Sequence, residues 1–188
     1  KRMFSLDAPE SPFAKGVIRY TTTAGFTECQ DAFKNILKCE GFDTSKLYVQ
    51  ITDGGSAAME LVLLGVCGPA GTDEKPLMVI DPAYTNYISF AERIGRKIVT
   101  VTRTLNENGK FSLPELNKIE EAIKKHNPGA LLVIPYDNPT GQLYDYETLK
   151  GLAALCVKYN MWFVSDEAYR ELFYDEGGKL VSVWGVSD

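Results

Sequence analysis

The strongest constraint on the fold of this chain is an alternation. Short, nearly continuous apolar runs at residues 47–52, 77–80, 97–102, 130–135 and 162–165 are separated by stretches of helical spacing. A strand covered on both faces has this character, because neither face can carry exposed polar side chains. Between the runs, residues 56–67, 85–94, 114–125 and 146–159 repeat apolar positions every three or four residues and predict helices. Pro114 suits a first helical position and Gly95 a helix end. An earlier helix is expected over residues 27–39, closed by Gly41. Strand and helix repeated in this way predict an α/β fold, a three-layer sandwich with a mainly parallel sheet.

The 188 residues, 45% hydrophobic and 24% charged, suffice for one substantial core. Lys and Arg number 20 against 25 Asp and Glu, a net charge of −5 without a basic arm or stripe, which argues against a nucleic-acid partner. The apolar runs fall far short of the roughly 20 residues that span a bilayer, and the N-terminus lacks a signal pattern. No membrane partner and a cytoplasmic location are therefore expected. Cys29, Cys39, Cys67 and Cys156 form no CxxC pair and His126 is the single histidine, so no metal site is expected and the thiols read as reduced and mostly packed. Residues 106–110 and the segment from Glu176 to Lys179 read as surface turns.

In open α/β sheets, ligands gather beyond the carboxyl ends of the strands, so the residues that follow each run are the place to look for function. After the first stands Asp53-Gly54-Gly55-Ser56, two glycines and a serine at a helix mouth, where free N–H groups favour an anion. A plain capped turn is the alternative there. After the second, Tyr84 in Pro82-Ala83-Tyr84 could stack on a flat heterocycle or simply pack. After the fourth, Asn138 in Asn138-Pro139-Thr140-Gly141 precedes a proline that restricts its backbone and can aim its amide; an ordinary β-turn is the alternative. After the fifth come Asp166 and, three residues on, Tyr169. A carboxylate aimed at a pyridine-type nitrogen favours its protonated form and makes the ring a better electron sink, whereas a helix cap is the bland reading of Asp166.

Taken together, from Tyr20 to about Tyr174, the order and content of these motifs resemble fold-type I pyridoxal-phosphate (PLP) enzymes of the class I/II, aspartate aminotransferase-like branch. The resemblance implies that Gly54, Gly55 and Ser56 hold the cofactor phosphate and that Tyr84 covers one face of the ring. It implies that Asp166 pairs with the ring nitrogen, while Asn138 and Tyr169 donate to the phenolic oxygen. Tyr20 resembles a tyrosine that reaches the phosphate of the neighbouring subunit in a homodimer. Asp166, Asn138 and Tyr169 are thus the expected catalytic set, with an amino acid and a 2-oxo acid as substrates.

The family's Schiff-base lysine lies in a Ser-x-x-Lys segment downstream of the Asp/Tyr motif, with phosphate- and carboxylate-binding arginines beyond it. None of the lysines present stands in such a segment, Lys179 being the nearest. Residues 1–188 are therefore expected to be a partial large domain, without its C-terminal part or the small domain, and inactive alone. The same scaffold leaves open a PLP-dependent C–S lyase, a decarboxylase, or the non-catalytic effector-binding domain of a regulator. Arg19, Arg93, Arg96, Arg103 and Arg170 are expected to be solvated or paired surface groups.

Overall fold

The computed structural model describes residues 20–69, 71, 73–172, 174 and 180–186; Arg19 and the expected turn from Glu176 to Lys179 lie outside them. The chain divides into two compact units, Lys1–Thr52 and Asp53–Asp188.

In the first unit, helix α1 (Thr27–Cys39) forms as expected and buries Leu37, and Gly41 follows it with a positive φ of 91°. The expected strand at residues 47–52 does not form. The segment pairs with no strand; the Ile51 amide donates to the Ala24 carbonyl at 3.1 Å, and the Gln50 side chain donates to the Thr23 carbonyl at 2.6 Å. Tyr48 is 95% exposed, so the run is apolar in composition without being covered on both faces. Gly25, at φ 94°, lets this extended segment come close: a Cβ there would lie 2.6 Å from Ile51 Cγ1.

The second unit contains α2 (Gly54–Cys67), β1 (Leu77–Asp81), α3 (Asn86–Arg93), β2 (Ile98–Thr102), α4 (Leu116–His126), β3 (Ala130–Val133), α5 (Tyr146–Lys158) and β4 (Trp162–Ser165). The four strands run parallel in the order β2-β1-β3-β4, with Leu77 opposite both Ile98 and Ala130, and Ala130 opposite Trp162. Helix α4 starts at Leu116, so Pro114 precedes the helix instead of opening it; Glu115 stands at the cap in extended geometry.

Side chains alternate across the sheet as the pleat demands. Leu77, Val79, Ala130 and Leu132 face α2 and α3, packing on Met59, Leu63, Tyr87 and Phe90. Met78, Ile80, Leu131 and Val133 face α4 and α5, packing on Ile119, Ile123, Leu149 and Leu152. Two helix layers on one sheet make the expected three-layer sandwich. Burial on both faces holds for β1 and β3 alone; β2 and β4 are edge strands, and Trp162 is 66% exposed. Cys67 and Cys156 are packed in the two cores, whereas Cys29 and Cys39 are exposed, contrary to the expectation that most thiols are packed.

The chain leaves β1 for β2 on one side and later returns past β1 to β3 and β4 on the other. The switch point of the sheet therefore lies between β1 and β3, where their carboxyl ends leave a crevice.

Gly129, just before β3, fits against α2 so closely that an added Cβ would lie 2.2 Å from the Val66 carbonyl oxygen. Gly129→Ala is expected to destabilise the fold by about 2 kcal/mol through overpacking, read as a lowered urea midpoint. Burial also pushes the Cys156 thiol up to about 12 from its ordinary value of 9.0. A raised folded-state value means stability is intact below the unfolded value and declines as pH climbs from there toward the folded one. Between roughly pH 8.5 and 10, the native chain is expected to lose about 1 kcal/mol more than Cys156→Ala does, measured by urea unfolding at each pH.

Candidate functional site

The crevice at the switch point holds a cavity of about 230 Å³. One wall is the start of α2, where Gly55 and Ser56 face the space and the N–H groups of the first turn lack intrahelical partners. Gly54 opens this helix at φ 77°, in the left-handed region that glycine adopts without a Cβ clash. It supports the turn and does not itself line the cavity. Tyr84 comes from the loop after β1, Asn138 from the loop after β3, and Asp166 and Tyr169 from the loop after β4. The structure thus brings six of the eight expected residues to one cavity; Tyr20 belongs to the other unit and is fully exposed.

Asp166 is fixed by three hydrogen bonds. Its amide donates to the Val133 carbonyl at 2.9 Å, locking the loop onto the end of β3. Its Oδ1 accepts from the Ala168 amide at 3.1 Å, and its Oδ2 accepts from the Tyr87 hydroxyl at 2.5 Å. No cation is among these partners. Tyr87 is 1% exposed and meets the Tyr84 ring edge-on, with centroids 5.6 Å apart and planes at 86°. Burial, then the Asp166 carboxylate, push the Tyr87 hydroxyl well above the ordinary tyrosine range, which keeps it a donor. Tyr87 was not among the expected site residues. Its signal in the sequence was its place three residues after Tyr84, the spacing that sets two side chains side by side on a helical turn.

Asn138 Nδ2 lies 3.5 Å from the Tyr169 hydroxyl, so two groups able to donate stand together in the lining that also holds Asp166, Gly55 and Ser56. The turn carrying Asn138 is closed by Asp137 N–H to the Gln142 carbonyl at 2.9 Å and Gly141 N–H to the Asp137 carbonyl at 2.8 Å, and its Asn138–Pro139 bond is cis. Three arginines expected at the surface are buried instead. Arg103 meets Asp137 at 2.5 Å, Arg170 meets Glu167 at 3.0 Å, and Arg96 donates to the Ile94 carbonyl at 3.1 Å. The acceptors supplied by loops and strand ends make an interior position tolerable for each guanidinium. Arg93 stays exposed and pairs with Glu60.

A sequence profile of the family described as Aminotransferase class I and II matches residues 13–187. The chain belongs to that family. Among its relatives, the chain is 31% identical over 172 residues to a protein named probable aspartate aminotransferase from Methanocaldococcus jannaschii, covering 91% of this chain and 43% of that one. It is 30% identical over 170 residues to the aspartate/prephenate aminotransferase of Thermus thermophilus, covering 90% and 42% respectively. The chain therefore spans about two fifths of the length of these relatives. Among solved structures, an aspartate aminotransferase from Thermus thermophilus with maleate superposes with a TM-score of 0.70 at 26% identity, over 87% of this chain and 41% of that one. An alanine aminotransferase from Pyrococcus furiosus shares the fold, with a TM-score of 0.74 at 24% identity over 90% of this chain and 41% of that one.

Tyr87→Phe keeps the ring packing and removes one donor to Asp166. It is expected to cost about 1.5 kcal/mol, the scale of a hydrogen bond to a charged group, measured as a shift in urea midpoint with near-ultraviolet dichroism unchanged.

Proposed function

We propose that this chain supplies the cofactor-binding half of an aminotransferase, one that moves an amino group between an amino acid and a 2-oxo acid with pyridoxal 5′-phosphate as cofactor. The observation that carries the reading is the meeting of Gly55 and Ser56, Tyr84, Asn138, Asp166 and Tyr169 around one cavity, in a chain of the class I and II family.

The donor set suits the cofactor's three chemical handles. The Gly55 and Ser56 N–H groups at the start of α2 and the Ser56 hydroxyl would bind a phosphate dianion, helped by the positive end of the helix dipole. The Tyr84 ring would lie against one face of the pyridine. Asp166, with no cation beside it, would hold a proton on the ring nitrogen, while Asn138 and Tyr169 would donate to the phenolic oxygen. When bound, PLP supplies an electron sink for the bonds at the α-carbon of an amino acid. The protein's part is to keep that ring protonated, flat against Tyr84 and anchored at its phosphate. The rest of the reading, supported by family membership alone, is a homodimer of the whole protein in which Tyr20 reaches the neighbour's phosphate, working in the cytoplasm.

A PLP titration of the chain followed by absorbance tests the assignment. Asp166→Ala and Ser56→Ala are each expected to weaken binding roughly tenfold, the loss of about 1.4 kcal/mol apiece. Asp166→Ala should leave the affinity for a 1-deaza analogue, which lacks the ring nitrogen, unchanged. Equal PLP affinity in Asp166→Ala and the native chain would sink the reading.

A further inference from the structure

We propose that Arg103, which does not line the cavity, is a positioning residue that sets Tyr84 and Asn138 relative to one another. The inference rests on the cofactor reading above.

Arg103 is the first residue after β2, and its amide extends the ladder by donating to the Asp81 carbonyl at 2.8 Å. Its side chain reaches the loops that follow β1 and β3. Nη2 donates to the Pro82 carbonyl at 2.9 Å and to Asp137 Oδ2 at 2.5 Å, and Nη1 donates to Gln142 Oε1 at 3.0 Å. Pro82 stands two residues before Tyr84; Asp137 stands one residue before Asn138. The guanidinium therefore joins the loop that presents the aromatic wall to the loop that presents the amide.

The surroundings leave this fork one arrangement. The Arg103 and Asp137 side chains are 2% and 3% exposed, so no water competes for their bonds. The Arg103 guanidinium carbon lies 5.6 Å from the Phe111 ring centroid and 5.9 Å from that of Tyr144. Gln142 is held from its other end, its Nε2 donating to the Phe111 carbonyl at 3.0 Å, and the Thr140 hydroxyl donates to the same Asp137 oxygen as Arg103. Asp137 also closes the Asn138 turn through its own backbone. Three acceptors on two loops require donors in a fixed planar spread, which a guanidinium has and a lysine ammonium lacks. A buried ion pair by itself is weak evidence of a contribution to stability, since apolar residues can often replace one. What an apolar pair cannot supply is the directed link from Asp137 to the Pro82 carbonyl.

A double-mutant cycle in the 188-residue chain separates this role from a structural one, with PLP affinity and the urea midpoint both measured. Arg103→Lys and Asn138→Ala are each expected to weaken PLP binding about tenfold. If Arg103 acts through Asn138, the double variant falls at least roughly fivefold short of the product of the two losses; a residue that merely stabilises the fold would give losses that multiply. Gln142→Ala removes one prong of the same fork and leaves the charge paired. It takes the place of Arg103→Lys in the cycle, under the same criterion, should that variant not fold. Losses that multiply, or Arg103→Lys binding PLP as the native chain does, overturn the proposal while leaving the cofactor assignment standing. A native chain that does not bind PLP overturns the cofactor assignment, and this inference with it.

Discussion

Everything in the second unit follows from covering β1 and β3 on both faces. A strand with helices above and below has no room for polar side chains along its length, so its polar work is confined to its ends. Because all four strands run the same way, those ends collect at one edge, and because β1 and β3 are neighbours that the chain reaches from opposite directions, their loops part and leave a crevice. The dry middle and the polar rim are one constraint seen at two places. A carboxylate in place of the Val79 side chain would have neither partner nor water; one residue beyond β4, Asp166 has three hydrogen bonds waiting.

Two of the carboxylates at this edge, Asp137 and Asp166, are used differently. Asp137 is committed: a guanidinium and a hydroxyl hold it inside the protein. Asp166 receives hydrogen bonds from Tyr87 and a backbone amide and meets no cation among the described residues, so it is oriented without being neutralised. One carboxylate builds the wall, and the other is left able to attract positive charge into the space. Neither Arg103 nor Asp137 lines the cavity, so their pairing leaves the Asp166 carboxylate there untouched.

Much of this was legible in the sequence, because it depends on local pattern. Apolar runs marked β1, β3 and β4, and the residues after them marked Tyr84, Asn138 and Asp166. Residues 47–52 misled because composition alone does not reveal covering: Tyr48 and Gln50 are exposed, and the segment ties itself to Ala24 and Thr23 instead of joining the sheet. Arg103 misled for the converse reason. A lone Arg between polar neighbours has the character of a surface residue until its acceptors, 34 residues away for Asp137 and 39 for Gln142, are folded around it. Tyr87 fell between the two, since its spacing from Tyr84 was visible and its partner, 79 residues distant, was not.

The bond between Arg103 and Asp137 also bears on how such a chain can change over generations. Replacing either residue alone strands the other's charge in the interior, which is far costlier than exchanging the pair for matched apolar residues. The two positions therefore behave as a single inherited character despite the 34 residues between them. Descent can keep the pair or exchange it whole, but each one-step path between those states runs through a sequence that folds poorly.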